Sequence, residues 1–88
     1  DVLEASREMA RECGVVVMAE PKLAESLQGG FPNSLDGKPF LLPSEGTALR
    51  RSLDQWFDAV NIRPVVRGEF EDSALLKAFG RAGEGAFA

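Results

Sequence analysis

The chain has 88 residues, of which 44% are hydrophobic and 27% charged, a composition typical of one small globular domain and too short for a two-domain enzyme. Ten basic and 14 acidic residues give a net charge of −4, which argues against unaided binding to nucleic acid or to anionic membranes. With no histidine and a single cysteine, the usual zinc sites, an internal disulfide and histidine-based catalytic triads are excluded.

The opening segment, residues 1–12, has two interpretations. Helix propensity favours a helix over Leu3–Glu12, whereas the same residues could form an extended lead-in whose partners lie in a longer parent chain. The chain begins at Asp1 and stops in the apolar run Gly85–Ala88, so we expect it to be a piece of a longer protein. No apolar run is long enough to span a membrane and no signal segment opens the chain, which indicates a cytoplasmic or nuclear protein.

Four short apolar runs alternate with helix-like segments through residues 13–88. The runs are Val15–Ala19, Pro39–Leu42, Val65–Phe70 and Gly85–Ala88. Continuous apolar runs of this kind are typical of strands that are buried on both faces of a parallel sheet. The alternation predicts βαβ units, and therefore an α/β fold with helices flanking a mainly parallel sheet.

Helices are predicted between these runs. Pro21 suits the first position of a short helix that Gly29–Gly30 ends. The residues from Thr47 to Asn61 form an amphipathic helix, because its apolar residues fall on one face. Those residues are Leu49, Leu53, Trp56, Phe57 and Val60. We expect this face to be core and the charged face to meet solvent or a partner.

A third helix is predicted to follow the third strand. Asp72 or Ser73 can cap its start, and Gly80 or Gly83 can end it. Its apolar residues, which we expect to face the sheet, are Leu75, Leu76, Ala78 and Phe79. The glycine-rich stretch after it precedes a strand, so it is a helix-to-strand turn and not a phosphate-binding loop.

In a parallel α/β sheet, ligands bind beyond the carboxyl ends of the strands, where helix N-termini present free backbone N–H groups. This rule selects the loops Glu20–Lys22, Pro43–Thr47 and Glu71–Ser73. The second loop is the most ligand-like, because Gly46 allows close backbone approach and its two hydroxyl residues could bind a ligand. The alternative is that Ser44 or Thr47 simply caps the following helix.

Acidic side chains are expected at the same edge of the sheet. Glu20, Glu45, Glu71 and Asp72 all lie next to predicted strand ends, and carboxylate oxygens suit hard cations such as Na⁺, Mg²⁺ or Ca²⁺. The alternative is that each carboxylate complements a helix dipole. No dedicated cation loop is present, so no metal ligand is assigned. Cys13 has no activating neighbour, and we interpret it as a structural or incidental thiol.

Several segments resemble the effector-binding region of LysR-type transcriptional regulators. The resemblance covers residues 13–88 and is specific in the last fifty. The segments are Pro39–Pro43, Ala48–Phe57, Ile62–Pro64 and Glu69–Gly80. Within the family, the likeness is closest to activators of sodium/proton antiporter genes, which implies a response to sodium or another small effector.

The resemblance implies half of a periplasmic-binding-protein-like (flavodoxin-like) effector domain. Residues 1–12 would be a lead-in or hinge segment from a missing first subdomain, and residues 13–88 a fragment of the second effector-binding subdomain. The effector would lie between the two subdomains. The implied effector-binding residues are Leu42, Pro43, Ser44, Glu45, Thr47, Glu71 and Asp72, with no catalytic residue and no cofactor.

The resemblance also implies partners outside this chain. These are a small-molecule or ion effector, the first subdomain, a DNA-binding domain elsewhere in a cytoplasmic parent, and further copies of that parent in a homo-oligomer. We expect no direct DNA contact, no membrane and no enzymatic activity for this fragment. In isolation, its apolar ends at Val2–Leu3 and Phe87 would lack partners. The competing hypotheses are a fragment of a solute-binding transport protein and, less in keeping with the missing histidines, a stand-alone α/β enzyme.

Overall fold

The computed structural model describes residues 6–12 and 15–88, in which strands and helices alternate as the apolar pattern predicts. The strands are β1 (Arg7–Glu12), β2 (Val15–Ala19), β3 (Pro39–Pro43) and β4 (Val65–Phe70), and the helices are α1 (Pro21–Gln28), α2 (Ala48–Val60) and α3 (Ser73–Arg81). A 3-10 turn, Asn33–Leu35, lies in the loop before β3. Cys13 lies outside the described residues.

The residues at the helix ends explain where the helices begin and end. Pro21 is the first residue of α1, where its missing N–H costs nothing, and the side chain of Glu20 accepts a hydrogen bond from the N–H of Leu23 at 3.0 Å. The α2 helix ends at Asn61, whose φ of 60° is left-handed, a conformation that asparagine tolerates better than most residues.

The β1 strand decides between the two interpretations of the opening segment. Residues 7–12 are extended, so the helical alternative is wrong for them, while residues 1–5 lie outside the described residues. An extended lead-in was expected to pair with a segment outside this chain. This expectation is wrong, because β1 pairs with β2 of the same chain. Cross-strand hydrogen bonding and contact with the core therefore outweigh the helix propensity of these residues.

The C-terminal segment joins two strand pairs into one sheet. Phe87 forms an antiparallel bridge with Met18 of β2, and Ala86 forms a parallel bridge with Phe40 of β3. The spatial order is thus β1, β2, the C-terminal segment, β3, β4. The backbone bonds are short: Met18 N–H donates to Phe87 O at 2.6 Å, and Leu41 N–H donates to Ala86 O at 2.8 Å.

A mainly parallel sheet is not what the described residues form. The β3–β4 pair is parallel, but β1 and β2 are antiparallel, and the C-terminal segment has one neighbour of each kind. The reason lies in the connections. Only two residues separate β1 from β2 in the sequence, far fewer than the dozen or so of a parallel crossover, whereas α2 supplies such a crossover between β3 and β4.

Helices cover both faces of the sheet. Alternate sheet residues such as Val17, Phe40 and Ala86 point to the larger core, which α1 and α2 complete. The intervening residues Leu41 and Phe87 point to a smaller core under α3. The larger core includes a T-shaped aromatic pair, Phe40 and Phe57, with ring centroids 5.1 Å apart. The predicted core face of α2 is confirmed for Leu53, Trp56 and Phe57, which are buried.

Two expectations about burial are wrong. β4 is not buried on both faces, because it is the last strand of the described sheet and Val65 and Val66 are 55% and 49% exposed. Only Leu76 of the four apolar α3 residues is buried, while Leu75 and Phe79 are 48% and 43% exposed. A short helix that packs on one side of the sheet buries a narrow stripe, and its remaining apolar residues stay at the surface.

Phe87 is not left without partners. Its side chain is 5% exposed between the sheet and α3, and its backbone is bonded to Met18 on one side. The expectation that Phe87 would lack partners in the isolated chain is therefore wrong, because Ala86 and Phe87 complete the sheet of this chain. The other apolar end, Val2–Leu3, lies outside the described residues.

Among the described residues, none of the helices is both long and apolar enough to cross a membrane.

We predict that Gly80→Ala destabilises the fold. A Cβ at Gly80 would lie 2.8 Å from Cγ of Phe87 and closer still to the ring edge, so the buried ring or α3 would have to shift. We expect a loss of roughly 1–3 kcal/mol in the free energy of unfolding, despite the better helix propensity of alanine. Chemical denaturation measures it.

The matched control is Gly29→Ala, where a Cβ meets no atom within 4 Å and the glycine has an ordinary φ of −74°. This variant should be neutral or slightly stabilising, because alanine restricts the unfolded chain. Equal stability of the two variants would show that α3 does not pack on Phe87 as described.

Candidate functional site

Two of the three predicted loops meet at one edge of the sheet. Pro43 and Phe70 are the last residues of β3 and β4 and are register partners. The N–H of Ser44 donates to the carbonyl of Phe70 at 2.9 Å, so the β3–α2 loop (residues 44–47) begins directly beside the β4–α3 connection (residues 71–72). Parallel pairing places these loops together, as the strand-end rule predicts.

The third loop lies at the opposite edge. β2 is antiparallel to the C-terminal segment, which is parallel to β3, so the carboxyl end of β2 lies beside the amino end of β3. Glu20 accordingly faces Gly83, which precedes that segment. The expected gathering of four acidic residues is therefore wrong for Glu20, which caps α1.

A cavity of about 210 Å³ lies at the edge where the two loops meet. It contains three of the predicted effector-binding residues, Pro43, Thr47 and Glu71. The remainder of its wall is Leu49, Phe70, Ser73, Leu76, Lys77 and Ala88. The cavity thus combines an apolar floor with two hydroxyls, one carboxylate and one ammonium group, a set that can bind a small polar molecule or ion.

Two predicted site residues act as helix caps. Thr47 Oγ1 accepts a hydrogen bond from the N–H of Arg50 at 3.1 Å and donates to the carbonyl of Ser44 at 3.0 Å. Asp72 Oδ1 accepts from the N–H of Ala74 at 2.8 Å. The capping alternative is therefore confirmed for Thr47, and both side chains are oriented by the helices that they cap.

The remaining predicted residues are placed differently. Leu42 is only 2% exposed and packs in the larger core, and it does not line the 210 Å³ cavity. Ser44 is half-buried and does not cap α2. The Glu45 side chain is 81% exposed and points towards Arg50, with 4.0 Å between Oε2 and Nη2. Neither Ser44 nor Glu45 lines the 210 Å³ cavity.

Arg50 has the densest polar contacts near these loops. Its Nη1 donates to the carbonyl of Pro43 and to Oε2 of Glu69, both at 3.0 Å, and its Nε donates to Oδ1 of Asp54 at 3.3 Å. Partial burial by itself lowers the pKa of Arg50, but the hydrogen bonds and charges of Glu69 and Asp54 outweigh it, so the pKa is raised above its ordinary value. The guanidinium is thus permanently charged.

Sequence reasoning missed several of these residues. The spacing of Arg50 and Asp54 on α2 predicts an ion pair on a solvated or partner-facing surface. The ion pair is confirmed, but the Arg50 side chain is only 12% exposed, and nothing in the sequence indicated Pro43 or Glu69 as partners. Lys77 was missed because α3 was expected to turn only its apolar residues to the sheet. No pattern along the chain indicates that Lys77 and Thr47 line one cavity, since 30 positions and two elements separate them.

A carboxylate metal site is not preformed here. Within residues 6–12 and 15–88, no three acidic or cysteine side chains are close enough to hold a metal ion together. A cation bound at this edge would therefore need backbone or hydroxyl oxygens, or ligands from outside the chain.

The chain belongs to the family of LysR substrate binding domains, which matches residues 4–88. It is similar to the transcriptional activator protein NhaR of Escherichia coli strain K12 and to NhaR of Shigella flexneri, each 36% identical over 69 residues. The aligned region covers 78% of this chain and 22% of each relative, so the chain spans 22% of their length. No solved structure matches the chain.

These similarities confirm the resemblance seen in the sequence. The chain is an effector-binding region of the LysR type, and it is similar to a transcriptional activator. The two loops at the carboxyl ends of β3 and β4 belong to the matched region.

We predict that Asp72 stabilises α3 as its N-cap. Asp72→Ala removes the hydrogen bond to the N–H of Ala74 and should lower the free energy of unfolding by about 1 kcal/mol. Asp72→Asn keeps an oxygen that can cap and should be nearly as stable as the unaltered chain. Thermal denaturation measures both. Equal stability of the alanine and asparagine variants would contradict the capping geometry.

Proposed function

We propose that this chain is part of the second effector-binding subdomain of a LysR-type transcriptional activator, and that the β3–α2 loop and the β4–α3 connection form one wall of its effector cleft. Binding would favour one arrangement of the two subdomains, which passes the change to DNA-binding domains elsewhere in a longer parent protein. Residues 1–12 would then lie near the hinge, although β1 pairs inside this chain.

The observation that carries the proposal is the junction of the two loops. A hydrogen bond joins Ser44 to Phe70, and the cavity beside it is lined by residues from β3, α2, β4 and α3. Capping orients Thr47 at its rim, and Glu71 supplies a carboxylate. A wall with few polar groups suits a ligand whose remaining contacts come from a second wall of the cleft.

We propose sodium, or another small effector, as the ligand. The oxygen-bearing side chains at the cavity are Thr47, Glu71 and Ser73, and hard cations prefer oxygen ligands. Three such groups are too few for a complete coordination shell, so the first subdomain would supply the remaining ligands. The similarity to NhaR, a transcriptional activator, supports the regulatory role and leaves the ligand to experiment.

The competing hypotheses receive less support. A solute-binding transport protein shares the architecture, but the family match and the relatives favour a regulator. We propose that the chain performs no catalysis, and that the parent acts in the cytoplasm as a homo-oligomer whose DNA contacts lie outside this fragment. The remaining proposed contacts around the cleft are Leu42, Ser44, Glu45 and Asp72.

We predict that sodium perturbs the amides of residues 44–47 and 71–73. The complete polypeptide that contains this chain would be titrated with NaCl against KCl at constant ionic strength, with amide chemical shifts as the readout. Glu71→Gln should raise the half-saturating NaCl concentration about 10-fold, because one charged ligand is lost. The control is Glu25→Gln, an exposed carboxylate on α1 that has the same charge change.

Two results would contradict this proposal. Identical shifts with both salts would exclude sodium as the effector, and small organic anions and cations would be tested next at the same amides. An unchanged midpoint in Glu71→Gln would remove Glu71 from the site. Promoter activation by the same variants in a reporter strain then tests the regulatory role itself.

A further inference from the structure

We propose that Arg50 is a positioning residue that holds the β3–α2 loop in place at the effector cleft. This inference rests on the proposed function for its purpose, but its geometric content can be tested without any ligand. The Arg50 side chain is only 12% exposed, and its guanidinium contacts β3 and β4 as well as a residue of its own helix, α2.

The contacts lie where the loop begins. Arg50 Nη1 donates to the carbonyl of Pro43, the last residue of β3, at 3.0 Å. The same atom donates to Glu69 of β4 at 3.0 Å, while Nε donates to Asp54 one turn further along α2 at 3.3 Å. The guanidinium therefore ties the start of α2 to the end of β3 and to β4.

Apart from the backbone hydrogen bond between Ser44 and Phe70, the loop has few other contacts that fix it. It is four residues long, and Gly46 has a φ of +92°, a left-handed conformation that glycine adopts without strain. Thr47 bonds to Ser44 inside the loop, and Arg51 Nη1 donates to the carbonyl of Gly46 at 3.1 Å from an exposed position. Exposed contacts of this kind contribute little, so the partly buried Arg50 is the main side-chain tether.

The shape of the side chain is essential to this role. The planar guanidinium offers five N–H donors in fixed directions, so it can satisfy a carbonyl and two carboxylates at once. A lysine ammonium carries the same charge but is a single point, and it cannot reach the separate acceptors from one position. The carboxylates of Glu69 and Asp54 fix the orientation of the guanidinium. Both side chains lie at the surface, with 46% and 54% exposed.

A reporter for the position of the loop exists within the chain. The N–H of Ser44 donates to the carbonyl of Phe70 at 2.9 Å, and this bond holds only while the loop stays against the end of β4. Loss of the Arg50 tether should open that bond more often. Hydrogen exchange at the Ser44 amide follows such local opening, while amides in the middle of α2 follow unfolding of the whole domain.

The test compares four forms of the chain by amide hydrogen exchange: unaltered, Arg50→Gln, Arg50→Lys and Arg67→Gln. The last is the matched control, because Arg67 pairs with Glu84 at 3.0 Å and carries the same charge, but lies away from the loop. We expect the Ser44 amide to exchange about 10-fold faster in both Arg50 variants than in the control, relative to the Leu53 amide of each form.

The lysine variant separates positioning from charge. If Arg50→Lys restores slow exchange at Ser44, the charge alone is sufficient and the proposal is wrong. If neither Arg50 variant accelerates exchange beyond Arg67→Gln, the loop is held by other contacts and the proposal is also wrong. Should Arg50→Gln fail to fold, Glu69→Gln, which keeps an acceptor in place, should show a smaller acceleration at Ser44, and no acceleration would overturn the proposal.

A NaCl titration of the complete polypeptide connects this result to the effector. If the proposed function is right, Arg50→Gln raises the half-saturating NaCl concentration several-fold with the same final chemical shifts, because the loop must first be brought into position. If the unaltered protein does not respond to sodium, the proposed ligand fails, while the exchange result for Ser44 still decides the role of Arg50.

Discussion

The insertion of the C-terminal segment into the sheet is the constraint on which the rest of this structure depends. β1–β2 and β3–β4 are each two-stranded, and isolated two-stranded ladders are marginally stable in water. Ala86 and Phe87 lie between them and bond to both sides. Local strand pairing therefore becomes one sheet only when the last residues of the chain reach its centre.

This central segment also determines how α3 is placed. Phe87 fills the smaller core from the sheet side, and the absent side chain of Gly80 lets the helix approach its ring. Leu76 and Leu41 close the same core, and Phe79 of α3 packs on Phe70 with 5.2 Å between ring centroids. The position of α3 in turn brings Ser73 and Lys77 to the rim of the cavity at the loop junction. The site is thus a consequence of packing around residue 87.

At the carboxyl end of β3, electrostatics has the corresponding role. Arg50 bonds to Pro43, Glu69 and Asp54 and so connects α2 with both parallel strands. Together with the Ser44 to Phe70 bond, these contacts hold the β3–α2 loop at the sheet edge. The proposed effector cleft requires loops that are preorganised but able to respond, and a short loop with one partly buried tether would have both properties.

The sequence by itself determined where the strands and helices lie, because apolar runs, helical periodicity and capping residues act locally. Pro21, Thr47, Asn61 and Asp72 mark helix ends that the structure confirms. It also determined the family, through motifs in the second half of the chain. The pairing of the two loops followed from parallel β3 and β4, whose crossover helix is evident in the sequence.

Only the tertiary structure decided the direction of β2, the extended form of residues 7–12, the burial of Phe87 and the contacts of Arg50. Each depends on which residues, distant in the sequence, come into contact on folding, and the local sequence does not specify these contacts. Glu20 was placed at the wrong edge because the antiparallel relation of β2 to the C-terminal segment arises only on folding. Local chemistry thus fixed the elements, whereas long-range backbone pairing fixed which of their ends meet.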